Sequence, residues 1–322
     1  MKCTSPPVHR RDFIVLLAGA ASWPFTAMGQ NRKRTVGILV VGSPDPGAFL
    51  QTFQEGLREL GYAELQFDVR SAEGKAERLP ELAAELVREN VDVIVGFQTP
   101  AVQAAKQATT EIPIVMDAGD PVGMGLVSSL ALPGGNITGM SALTAELAPK
   151  GLEYLRQIVP KLRRLGLFLN AKDPFSKPFR EYNQLAVDRL GLELQLGFVN
   201  GPEELKSAYE TAVRDKVDAL MIQPSLDLVR AAELALAHGL PSASLTSFFV
   251  RAGGLMSFSA NYSELWREMA VYVAKILDGA NPASLPVAQP TKFELVINLR
   301  TAKALGLLIP PTLLARADEV IE

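Results

Sequence analysis

The stretch Val91–Met116, VDVIVGFQTPAVQAAKQATTEIPIVM, decides the fold. Val91 to Phe97 is apolar and β-branched without alternation, as in a strand buried on both faces. Pro100 to Ala108 then changes to helical spacing, and Ile112 to Met116 returns to a buried strand. Two such strands joined by a helix make a parallel pair, because parallel neighbours need a crossover. Outward from this unit the same grammar continues. Thr35 to Val41 reads as a strand. Phe49 to Leu60 is a helix with Phe53, Leu57 and Leu60 on one face, closed by Gly61. Leu65 to Val69 is a strand, Leu79 to Val87 a helix, Val122 to Leu130 a short helix and Asn136 to Gly139 a short strand.

The order then repeats. Strands are expected at Leu165–Leu169, Leu192–Val199, Val217–Ile222, Leu240–Leu245 and Gly254–Phe258, with helices at Pro178–Leu190, Glu203–Arg214 and Leu226–Ala237 between them. Each half is therefore an α/β, doubly wound, Rossmann-like lobe with a parallel sheet. Helices near Glu146–Val159 and Ser263–Leu277 link the halves, and a last apolar run follows at Phe293–Ile297. Repeated crossings of this kind predict a hinge. The expected division is residues 30–143 with about 261–282 in the first lobe, and 144–260 with about 283–322 in the second.

Residues 1–29 stand apart. Arg10-Arg11-Asp12-Phe13-Ile14, an apolar run and the small residues near Ala27-Met28-Gly29 have the layout of a cleaved export signal. The arginine pair resembles a twin-arginine signal. Val15 to Ala21 is shorter than the roughly 20 apolar residues that a membrane span needs. A periplasmic location is expected. The single cysteine, Cys3, falls within the signal, so disulfides, thiolate metal sites and cysteine nucleophiles are excluded from the mature part. Two histidines are present, His9 in the signal and His238 at a helix end, where a favourable interaction with the dipole is the simpler role. A formal net charge of −3 gives no field for nucleic acid.

In open parallel sheets, ligands bind beyond the carboxyl ends of the strands. The loops there carry Ser43, Gln98, Thr99, Asp120 and Ser141 in the first half, and Asn170, Ser225, Thr246 and Tyr262 in the second. Thr99-Pro100 reads as a helix cap followed by proline, which aims backbone N–H groups at the cleft and suits a carboxylate. Asp120-Pro121 repeats that grammar with a charge suited to a ligand ammonium. Together they suggest a zwitterion, of which an amino acid is the simplest. Ser43, Ser141, Asn170, Ser225 and Thr246 serve equally as turn or cap residues. Phe97, Phe248, Phe258 and Tyr262 either wall a ligand or pack in the core.

With these pieces in place, the chain resembles the substrate-binding proteins of ABC importers related to bacterial tryptophan- and tyrosine-binding members. The resemblance rests on Phe53-Gln54-Glu55-Gly56-Leu57, Leu60-Gly61-Tyr62, Thr99-Pro100-Ala101 and Ile112-Pro113-Ile114-Val115. It rests further on Gly119-Asp120-Pro121-Val122-Gly123, on Pro133-Gly134-Gly135-Asn136-Ile137-Thr138-Gly139 and on Leu299-Arg300-Thr301-Ala302-Lys303-Ala304-Leu305-Gly306. It implies a type I periplasmic binding protein fold, with a small molecule clamped between lobes and delivered to an inner-membrane permease. It also implies ligand contacts at Thr99, Asp120 and Ser141, with an aromatic amino acid as the leading ligand. The family's Asn-Pro after the first strand of the second lobe is Asn170-Ala171 here.

The expectation is thus a monomeric binding protein without cofactor or catalysis. A ligand sensor for a membrane receptor or kinase is the alternative. A two-lobe enzyme fits less well. A two-cysteine racemase lacks its thiols here, and a nucleotide enzyme lacks a phosphate loop such as G-x-G-x-x-G.

Overall fold

A computed structural model describes residues 33–42 and 47–322. The proposed export signal lies outside the described residues. The chain runs β1 (Thr35–Val40), α1 (Gly47–Glu59), β2 (Gln66–Ser71), α2 (Leu79–Arg88), β3 (Val93–Phe97), α3 (Gln98–Ala108), β4 (Ile114–Ala118) and β5 (Ile137–Ser141). These strands form one parallel sheet in the order β2-β1-β3-β4-β5. The order reverses between β1 and β3, which opens a crevice at their carboxyl ends. Strands β3 and β4 are almost wholly buried, as their unbroken apolar runs require.

The second part runs α4 (Thr144–Ile158), β6 (Arg164–Asn170), α5 (Ser176–Leu190), β7 (Glu193–Val199), α6 (Leu205–Arg214), β8 (Ala219–Ile222), α7 (Leu228–Ala237), β9 (Ser242–Ser244), α8 (Ser247–Arg251) and β10 (Met256–Ala260). It closes with α9 (Tyr262–Leu277), β11 (Phe293–Asn298), α10 (Leu299–Ala304), α11 (Pro311–Leu314) and β12 (Glu319–Ile321). Its sheet is β12-β11-β10-β9-β8-β6-β7. All neighbours are parallel except β10 and β11, so the expected all-parallel sheet gains one antiparallel partner. The reversal follows from topology: β11 enters the sheet from the first lobe, not from a crossover on the second.

The cores show which lobe owns each linker. Leu152, Leu155 and Ile158 of α4 pack with Leu165, Leu167 and Met221 of the second sheet. Trp266, Met269, Ala270 and Val273 of α9 return to pack on Phe49, Phe53 and Leu57 of α1. Gly56 makes this close approach possible, since a Cβ there would sit 3.1 Å from Cβ of Ala270. Val287 is still in the first core, and Ala288 bridges to Met140. The last crossing therefore lies between Ala288 and Phe293, later than the expected boundary near 282. It runs alongside the other two: Ser141 N donates to Ala288 O at 2.8 Å, and Asn261 N to Lys292 O at 3.0 Å.

Two local expectations fail for physical reasons. Val122–Leu130 forms no helix. Asp120 Oδ1 accepts from Gly123 N at 2.8 Å, and Gly125 takes φ +63°, so the segment coils into consecutive turns. Helix α8, absent from the expected elements, has five residues, too few to display a period.

Candidate functional site

The carboxyl ends of β1, β3 and β4 face those of β6, β8, β9 and β10 across the seam between lobes. Two adjoining cavities lie there. The inner one, about 30 Å³, is lined by Gln98, Thr99, Asp117, Gly119 and Ala142 from the first lobe. Asp173, Phe175, Gln223, Pro224 and Ser225 of the second lobe close it, together with Tyr262. The outer one, about 680 Å³, shares Gln98, Asp117, Pro224, Ser225 and Tyr262 and is walled by Phe49, Phe97, Phe248 and Trp266. Phe49 meets Phe97 edge-on at 4.0 Å between centroids and Trp266 at 5.2 Å. Phe248 lies 5.4 Å from Trp266 and 5.8 Å from Tyr262. Phe49 and Trp266 belong to the first core, with Phe97 and Phe248 packed against it, so the rings form a fixed apolar wall.

The lobes touch. Gln98 Nε2 donates to Pro224 O at 2.9 Å, and Lys172 Nζ pairs with Glu77 Oε2 at 2.9 Å. A Cβ on Gly119 would lie 2.4 Å from the Phe175 ring, so only glycine lets the second lobe come this close. Gln98 itself takes φ +66° at the first position of α3. A non-glycine residue there stores strain of order 1–3 kcal/mol, a feature that concentrates at functional sites.

The sequence-derived candidates separate by placement. Gln98, Ser225 and Tyr262 line both cavities, Thr99 the inner and Thr246 the outer. Thr99 is not the cap that its Thr-Pro pattern indicated. Helix α3 begins two residues earlier than expected, at Gln98, its N-cap is Phe97, and Thr99 sits inside the first turn. Asp120 is spent on Gly123 N and lines neither cavity. Ser141 is buried at the end of β5, beside the last crossing. Asn170 is a brace: its Nδ2 donates to Ser225 O at 3.1 Å, and its Oδ1 accepts from Lys172 N at 3.0 Å. Ser43 lies outside the described residues. Phe97, Phe248 and Tyr262 wall the cavity, whereas Phe258 packs on Tyr154 and Phe293. His238 ends α7 and stacks on Tyr209, away from the cleft.

Sequence reasoning passed over two acids. Asp173 sits in the β6–α5 loop and is saturated by protein donors. Its Oδ2 accepts from Gln223 Nε2 at 2.7 Å and Ser225 Oγ at 2.6 Å, and its Oδ1 from Phe175 N at 2.9 Å. Burial raises its pKa to about 6, with those donors opposing the shift. Asp117, on β4, is 4% exposed, and its Oδ1 has no partner. Burial alone raises its pKa to about 7. Burial and then the nearby Asp117 charge push the Tyr262 phenol up. The signal for Asp117 was available: it is the one acid in the apolar run Ile114–Ala118. Among the described residues, no cluster of three His, Cys, Asp or Glu side chains is placed to hold a metal.

Two doubly wound lobes joined by a multi-stranded seam, with a cavity at their facing strand ends, define a type I periplasmic binding fold. The sequence comparison is equally specific. The chain belongs to the family described as ABC transporter substrate binding protein, whose model matches residues 36–321. Members of this family bind a small molecule and work with a cognate ABC permease outside the cytoplasm. Among the described residues, no helix is long and apolar enough to cross a membrane. The chain is 27% identical over 287 residues to the tyrosine-binding protein of Clostridioides difficile strain R20291, covering 86% of this chain and 82% of that one. It superposes with a TM-score of 0.81 on an ABC domain from Streptococcus pneumonia in complex with L-Trp, at 28% identity, over 90% of this chain and all of that one. Against the ligand-free, open structure of a substrate-binding protein with adhesive properties from Clostridium difficile, the TM-score is 0.61 at 25% identity, over 89% and 99% of the chains. In this chain the two lobes are in direct contact through Gln98 and Pro224 and through Lys172 and Glu77.

Proposed function

We propose that the protein captures an amino acid, with an aromatic side chain favoured, and presents it to an ABC permease of the inner membrane from the periplasmic side. The first lobe would be 34–143 with 261–288, the second 144–260 with 293–322, and binding would close them without chemical change to the ligand. The observation that carries this reading is the cavity of about 680 Å³ walled by Phe49, Phe97, Phe248 and Trp266 at the lobe seam. Its volume and apolar lining suit one small solute. The tyrosine-binding relative and the L-Trp complex support the same solute class.

Thermal unfolding of the purified protein against panels of amino acids, purines and sugars tests the proposal. A ligand at a hundredfold excess over Kd stabilises by about 2.7 kcal/mol, enough for a clear shift in Tm. A shift with aromatic amino acids is expected. A shift confined to sugars or purines would transfer the cavity to another solute, and turnover of any solute would replace binding by catalysis.

A further inference from the structure

The cleft is short of positive charge. Of the charged residues lining its two cavities, four are acids (Glu73, Asp117, Asp173 and Asp227) and Arg251 is the single base among the described residues. Most of them are already engaged. Glu73 pairs with Arg78 at 3.2 Å, Asp227 accepts from Arg230 N at the start of α7, Asp173 holds its three donors, and Arg251 pairs with Glu319 at 2.8 Å. Asp117 is different. Its Oδ1 is buried with no donor, and the groups around it in the inner cavity are Gln98 and Thr99 of α3, Tyr262 of α9 and, from the other lobe, Asp173 and Gln223. None of these is basic. A buried, partnerless carboxyl is held in its charged form only when a cationic donor pairs with it, and otherwise tends to protonate.

We infer that the solute carries a protonated amine that donates to the Asp117 carboxylate, and that this amine, not a carboxylate, is the group the site requires. The inference rests on the solute-binding reading above and narrows its ligand class. The inner cavity, about 30 Å³, has room for a small polar head but not for a ring, so the amine enters first and the body stays in the aromatic box. A carboxylate on the same ligand meets only the start of α3, where backbone N–H groups and the helix dipole act without a side-chain cation. The two ends therefore contribute unequally. Losing a charge-assisted bond to Asp117 is expected to weaken binding about a hundredfold, and losing the dipole contact about tenfold at most. A ligand with a carboxylate and no amine fares worst, because it sets a negative group against two buried acids.

Titration calorimetry of the purified full chain at about pH 8, where Asp117 is ionised, tests this with L-tryptophan, tryptamine and indole propionate, and with L-tyrosine and tyramine. In at least one of the two series the amine is expected to bind within about tenfold of the amino acid, and indole propionate about a hundredfold weaker than tryptophan. Asp117→Asn is expected to weaken the amine-bearing ligands about a hundredfold and to leave indole propionate no weaker. The wild-type ligand series stands without the variant, should the variant fold poorly. Indole propionate matching tryptophan, unchanged affinity in Asp117→Asn, or binding of no amine overturns the inference. A solute without an amine binding as tightly as the best amine would overturn it while sparing the solute-binding reading, whereas a protein that binds no amino acid, purine or sugar loses both.

Discussion

Asp117 and Asp173 face the same small cavity from opposite lobes and are both buried, yet their surroundings differ completely. Asp173 is satisfied by three donors from its own lobe, two of them Gln223 and Ser225 on the loop after β8. Its carboxylate is a structural rivet that shapes the second lobe's rim. Asp117 has an oxygen with nothing to hold. The pair shows that equal burial does not make two acids alike: one arrives with its donors and the other without.

Removing the rivet breaks the comparison from the structural side. Asp173→Ala strands three donors in a buried setting and is expected to lower stability by roughly 4 kcal/mol, read from urea unfolding. Asp117→Asn is expected to leave stability equal or higher at neutral pH; comparable losses in the two variants would erase the distinction. Gly119→Ala tests closure itself. The added Cβ meets the Phe175 ring, so the variant is expected to fold normally and bind about a hundredfold more weakly, equivalent to about 2.7 kcal/mol. Unchanged affinity would show that the lobes need not come this close.

Titration adds a pH dependence of about 1.4 kcal/mol per group for each pH unit crossed. The folded protein holds Asp117 near pKa 7 and Asp173 near 6, against an ordinary 3.8. Between those values the folded state binds more protons than the unfolded one, so stability falls as pH rises from about 4 to about 7. Urea midpoints of the ligand-free protein across that range measure the slope, and Asp117→Asn is expected to flatten its upper part, above about pH 6. Least of all, Lys172→Ala removes an exposed ion pair between the lobes and is expected to cost under about 1 kcal/mol of binding, with a salt dependence that disappears in the variant.

Much of the fold was legible because its strands are long apolar runs. Thr35–Val40 and Val93–Phe97 leave no alternative, and the helices between them show clean periodicity. What stayed hidden depends on partners distant in sequence. The run at Phe293 reads as a strand, but its antiparallel place beside β10 follows from the path of the whole chain. Helix α8 is too short to show a period. At the site, loop position picked out Gln98, Thr99, Ser225, Thr246 and Tyr262 as residues facing the cleft. Asp120 looked like the cleft acid because it precedes proline, yet it closes its own turn. Asp117, inside a strand, was concealed by the apolar residues that bury it.

The three neighbouring linkers after Ser141, after Ala260 and between Ala288 and Phe293 have a mechanical consequence. A lone tether would leave the halves able to swivel. Three side by side act as a piano hinge, permitting one axis of flexion and resisting torsion. A joint of that kind would part the halves along one edge and leave a single mouth for a solute.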